Sequence, residues 1–205
     1  MTLHPLIQLE LVWERVLCQP FVAVLTRLGV RPNAVTATAF FLKLSSLPFI
    51  LTGRYEWAGA IWVVGAVADA LDGTLARRLG AETKLGAFLD ATGDRVAGAA
   101  LLAAFAVGVG TTAAYQASLA LITVSLLLAL TRAKAEFLNA RASMPSLHRS
   151  GRSIWLSGSL ILGPSLAALF GRPAYLAPLV AFWALTAVTV GALVMVVVRT
   201  ARKLA

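Results

Sequence analysis

The stretch Asp69–Asp94, DALDGTLARRLGAETKLGAFLDATGD, carries all four aspartates of the chain, at positions 69, 72, 90 and 94. Asp69 and Asp72 are three residues apart, and Asp90 and Asp94 are four apart. On helices, both spacings put the paired side chains on one face. The surrounding sequence is apolar enough to read as membrane, where an aspartate at mid-bilayer costs roughly 2.5–3.5 kcal/mol on insertion scales. Four neighbouring anions also repel one another unless they are protonated or bridged by cations. All-oxygen ligand sets suit hard divalent ions, so Asp69, Asp72, Asp90 and Asp94 imply Mg²⁺ or Mn²⁺, as a pair of ions.

The residues between the acids suit a phosphorylated ligand. Gly73 follows Asp72, and Gly86 sits four residues before Asp90 on the same helical face. Neither carries a side chain, so a ligand can approach the backbone there. Glycines in membrane helices also serve as packing contacts. Ala76 is small, and Arg77 presents a planar donor fork that matches phosphate. Cations and an Arg beside a pyrophosphate assist phosphoryl-type transfer by neutralising charge.

Working outward, the chain has 205 residues, of which 59% are hydrophobic and only 13% charged. Its mean hydropathy is +0.82. A water-soluble domain carries about 25% charged residues. The fold class expected is therefore all-α, a polytopic membrane protein with six transmembrane helices, at about 34–52, 57–79, 84–109, 113–137, 153–171 and 174–198. Each is near the ~20 residues that cross a hydrocarbon core. Short connections near Gly53, Gly110 and Gly171–Pro173 make a single domain, residues 1–205, the natural reading. Residues 1–30 form its lead-in, where 3–17 mix apolar positions with His4, Gln8, Glu10, Glu14 and Arg15, the pattern of an amphipathic helix at the interface. Glu10, Glu14 and Arg15 interrupt the stretch, so no cleavable signal peptide is evident, and the lone Cys18 excludes an intrachain disulfide and any multi-cysteine metal site.

The formal net charge of +9 reads as membrane topology rather than nucleic-acid binding. One side gathers Arg15, Arg27, Arg31, Arg77, Arg78, Lys84, Arg132, Lys134, Arg141, Arg149, Arg152, Arg199, Arg202 and Lys203, and the other only Arg54 and Arg172. The positive-inside rule then makes both termini cytoplasmic and puts the aspartates in the cytoplasmic half of the membrane. Lys43, inside the first span, either faces the acid cavity or snorkels to an interface.

The acidic stretch resembles the signature of the CDP-alcohol phosphotransferases, D-x2-D-G-x2-A-R-x8-G-x3-D-x3-D. Asp69, Asp72, Gly73, Ala76, Arg77, Gly86, Asp90 and Asp94 fill all eight fixed positions at the right spacing. The resemblance implies that Asp69, Asp72 and Asp90 hold the metals, and that Asp94 shares a metal and acts as the general base. Gly73, Ala76, Arg77 and Gly86 would contact the CDP moiety, with Thr83 as a further polar contact. Pro32, Asn33 and Thr36 match the family's Pro-Asn/Asp-x-x-Thr opening of the first helix and would frame the nucleotide pocket. A homodimer is also implied.

The reaction implied is displacement of CMP from CDP-diacylglycerol by an acceptor alcohol. TRAKAEFL at Thr131–Leu138 and LHRSGRSIW at Leu147–Trp155 resemble segments of bacterial members that use polyol phosphates. His148 stands where an acid is expected, and Ser150-Gly151 replace a Pro-Glu. Arg132, Lys134, Arg149 and Arg152, joined by Arg199, are candidates for the acceptor phosphate, and equally for ordinary cytoplasmic flanking charge. Arg95 lies inside the helix of Asp90 and Asp94. Glycerol-3-phosphate ranks first as acceptor because that reaction is the more widespread, with inositol phosphate close behind. The alternatives are a divalent-cation transporter with an intramembrane carboxylate site and a purely structural membrane protein.

Overall fold

The computed structural model describes residues 19–139 and 149–204. Among these residues the chain forms eight helices: α1 Gln19–Arg27, α2 Pro32–Ser45, α3 Leu47–Leu51, α4 Tyr55–Leu79, α5 Lys84–Val109, α6 Thr112–Phe137, α7 Arg149–Leu169 and α8 Leu176–Leu204. The interfacial helix expected over 3–17 lies outside the described residues.

Among the described residues, five helical segments are long and apolar enough to cross a membrane: Pro32–Leu51, α4, α5, α6 and α8. The expected span at 153–171 does form a helix, α7, of 21 residues, but it is not one of the five. Ser153, Ser157, Ser159 and Ser165 dilute its hydropathy, and Pro164 sits inside it. Its hydroxyls are partly satisfied within the helix, since Ser157 donates to the Ser153 carbonyl and Ser159 to that of Leu156, both at 2.8 Å. Helical hydrogen bonding thus persists where apolar content drops.

The first span is interrupted. Pro48 has no N–H to offer the carbonyl four residues back, so α2 stops at Ser45. Ser46 restarts the ladder, its carbonyl accepting from Phe49 N at 3.1 Å and Ile50 N at 3.3 Å. The α4–α5 connection is only Gly80–Thr83. Gly80 takes a left-handed φ of 59°. Around it Gly80 N donates to Arg77 O and Ala81 N to Ala76 O, a Schellman ending for α4. Thr83 then caps α5, its hydroxyl accepting from Gly86 N at 2.9 Å. The hairpin that carries the four aspartates is thereby fixed by local chemistry at both sides of its turn.

The chain divides into two compact units, one of residues 1–43 with Val64–Asp94, the other of Leu44–Val63 with Arg95–Ala205. In the first, Val22, Val35, Leu71 and Leu75 form a buried cluster flanked by Leu25, Val30 and Val67. In the second, the rings of Tyr55, Phe105 and Phe182 stack in series with centroids 5.8 and 4.7 Å apart. There α8 packs along both α6 and α7. Large apolar side chains also point outward. Leu119 and Leu130 are each 67% exposed, an arrangement suited to hydrocarbon as the surrounding solvent.

Candidate active site

The first unit contains the acid cluster. Asp69, Asp72 and Asp90 each offer a carboxylate oxygen, and the three oxygens lie within 4.8 Å of one another. A single hard cation at about 2.0–2.6 Å from its ligands spaces their oxygens by no more than ~5 Å. Asp72 is buried, and its Oδ2 has no hydrogen-bond partner among the described residues. A buried carboxylate oxygen without a donor is costly unless a cation neutralises it. The three residues therefore fit a divalent metal ion.

Asp94 is reached through a different partner. Lys43 Nζ donates to Asp69 Oδ2 at 3.0 Å and to Asp94 Oδ1 at 3.3 Å. Lys43 is 1% exposed and Asp94 6%. Of the two readings open for Lys43, the acid cavity is the one realised. Its stem lies against Gly65, where an added Cβ would come 2.8 Å from Lys43 Cγ and 3.2 Å from the Ala39 carbonyl oxygen. Gly65 was missed by the sequence reading, although a signal for it existed. It precedes Asp69 by four residues, just as Gly86 precedes Asp90.

The residues expected around the CDP moiety are partly gathered. A Cβ at Gly86 would meet Thr83 Oγ1 at 3.0 Å and Asn33 Oδ1 at 3.1 Å, so Gly86, Thr83 and Asn33 converge on one spot. The Thr36 hydroxyl donates to the Pro32 carbonyl oxygen at 3.2 Å. Arg77 reaches back over Gly73, with Nη1 3.6 Å from a Cβ built there, and its Nη2 donates to Thr74 Oγ1 at 3.1 Å. Ala76 lies half-buried between these residues on α4.

The acceptor candidates are less gathered. In the second unit, Arg95 and Arg152 line one groove with Gly98, Ser125 and Leu126. Arg132 and Lys134 are exposed at the end of α6, where Lys134 Nζ stands 5.2 Å from the centroid of the Phe137 ring. Arg199 is exposed on α8. The side chain of Arg149 lies outside the described residues.

Comparison with known families places the chain. The family described as CDP-alcohol phosphatidyltransferase matches residues 29–148, more than half of the chain. The chain belongs to the CDP-alcohol phosphatidyltransferases. It is similar to the phosphatidylinositol phosphate synthase of Mycobacteroides abscessus, 36% identical over 151 residues that cover 70% of this chain and 68% of that protein. It is also similar to the synthase of the same description from Corynebacterium glutamicum, 32% identical over 174 residues, 84% of this chain and 78% of that one. Its fold matches the crystal structure of Mycobacterium tuberculosis phosphatidylinositol phosphate synthase with CDP-DAG bound, at a TM-score of 0.75 and 23% identity, covering 90% of this chain and 93% of that one. The same Mycobacterium tuberculosis protein has also been solved with manganese and citrate, again at a TM-score of 0.75.

As a CDP-alcohol phosphatidyltransferase, the chain is an integral-membrane enzyme of phospholipid synthesis that uses Mg²⁺ or Mn²⁺. The divalent-cation transporter weighed from the sequence finds no support in these comparisons.

Proposed function

We propose that the chain moves the phosphatidyl group from CDP-diacylglycerol to an inositol phosphate and releases CMP, with the active site at the cytoplasmic face. The convergence of Asp69, Asp72 and Asp90 beside an Asp94 held by Lys43 is the observation that carries it. The acceptor order read from the sequence, glycerol-3-phosphate before inositol phosphate, is reversed here, because the relatives above are named phosphatidylinositol phosphate synthases.

The chemistry follows from the groups in place. Asp69, Asp72 and Asp90 would hold a divalent ion, which would supply positive charge to the pyrophosphate. Arg77, lying over Gly73, adds a donor fork on the same helix. Asn33, Thr83 and Gly86 frame the nucleotide, with Gly86 leaving room for close backbone approach. The Asp94 carboxylate takes the proton of the acceptor hydroxyl as its oxygen bonds to the phosphatidyl phosphorus. The bond from that phosphorus to the bridging oxygen breaks, and CMP leaves with the electron pair. Arg95 and Arg152 take the acceptor's phosphate by charge-assisted hydrogen bonds. The enzyme works as a homodimer, with both termini cytoplasmic.

The deciding experiment supplies purified protein with CDP-diacylglycerol and Mn²⁺, offers inositol phosphate, glycerol-3-phosphate and serine separately, and records CMP. Inositol phosphate is expected to release CMP at least about tenfold faster than either rival, a difference of about 1.4 kcal/mol in transition-state binding. Equal or faster release with glycerol-3-phosphate overturns the acceptor assignment. No CMP with any acceptor overturns the reading as a whole.

A further inference from the structure

We infer that Lys43 is a built-in competitor for a second divalent ion, holding the carboxylates that such an ion would need. The inference rests on the metal-dependent reading above and concerns the same acids. Asp69 belongs to two sets at once. With Asp72 and Asp90 it forms the three-oxygen cluster, and with Asp94 it brackets the Lys43 ammonium. Asp69 has two carboxylate oxygens, so an ion at the first set needs only one of them and Lys43 can keep Oδ2. An ion that uses Asp94 together with Asp69 meets Lys43 Nζ at Asp69 Oδ2 and Asp94 Oδ1, its bonds there being 3.0 and 3.3 Å.

A positive ammonium and a divalent cation cannot share those oxygens, because at effective protein dielectrics two like charges about 4 Å apart repel by ~4 kcal/mol or more. Nor does Lys43 move aside freely. It is 1% exposed, and its stem is pressed against Gly65, where not even a methyl group fits without displacement. Two ions therefore bind in two unequal steps. The first goes to Asp69, Asp72 and Asp90, and the second binds only as Nζ withdraws. Until then Lys43 acts as a positioning residue that keeps Asp94 beside Asp69 and limits repulsion among the acids.

The test is Mn²⁺ binding to the full-length chain in lipid nanodiscs without donor or acceptor, followed by electron paramagnetic resonance. Its outcome is thus separate from that of the CMP assay. Wild type is expected to bind its second equivalent at least about tenfold more weakly than its first, given the repulsion above. Lys43→Met should bring the two steps together and produce a spin-coupled Mn²⁺ pair at low metal. Lys43→Arg should keep them apart. Saturation of wild type at one equivalent, with two in Lys43→Met, supports the inference in its limiting form. Two equal steps in wild type overturn it, as does a gap unchanged in Lys43→Met. If Lys43→Met does not fold, wild type and Lys43→Arg decide the matter alone.

Discussion

The acid hairpin and the groove lined by Arg95 and Arg152 differ in how their residues are stored along the chain. The hairpin keeps eight motif positions within 26 residues on two helices joined by Gly80–Thr83. Helical spacing alone then decides which acids meet. Arg95 and Arg152 line the groove from α5 and α7, 57 positions apart in sequence. No local periodicity links such a pair. Chemistry written in one hairpin is legible from spacing, whereas chemistry assembled between distant helices appears only when those helices pack.

That contrast is sharpest at the base. Asp94→Asn should lower CMP release by ~10²–10⁴-fold, the usual worth of a general base. Binding of CDP-diacylglycerol, measured by equilibrium dialysis, should change less than about threefold, the mark of a group acting mainly in the transition state. A tight fall in both would place Asp94 with the binding residues instead. Metal removal comes next. Chelation should abolish turnover and Mn²⁺ should restore it, while Asp72→Asn should leave a form that Mn²⁺ no longer rescues at matched concentration.

The groove should respond more weakly and unevenly. Arg152→Ala should raise KM for the acceptor by ~10–100-fold with donor KM unchanged, since one charge-assisted contact is worth about 1.5–3 kcal/mol. Arg132→Ala, at an exposed site, should change it less than about twofold. Equal effects from the two would break the distinction between a phosphate ligand and flanking charge. The smallest effects are on stability. Gly65→Ala should cost about 1–3 kcal/mol through overpacking against Lys43. Thr83→Ala should cost about 1 kcal/mol through loss of the α5 cap. Both are readable as shifts in Tm of the detergent-solubilised protein.

What the sequence showed follows the same division. Four aspartates in an apolar chain, with a glycine, an alanine and an arginine at set intervals, announced both the metal chemistry and the hairpin. Lys43 could be placed near the acids or at an interface, because a lone cation in a span has no internal signal for its partner. Packing of α2 against α4, through Gly65, resolved it. The span expected at 153–171 illustrates the opposite limit. α7 is a helix of the right length whose serine hydroxyls are satisfied on its own carbonyls, yet it is not among the described helices apolar enough to span. The acceptor ranking rested on how common a reaction is, which no residue in the chain encodes.

The Lys43 bridge also bears on biogenesis. Lys43 sits on α2, and its two partners, Asp69 and Asp94, sit on α4 and α5. Each charge alone at the centre of a span costs roughly 2.5–3.5 kcal/mol to insert. Because α2 precedes α4 and α5 in the chain, its lysine is made before the two aspartates that neutralise it. The three helices are thereby expected to enter the bilayer as one cooperative group, their buried charges cancelling one another.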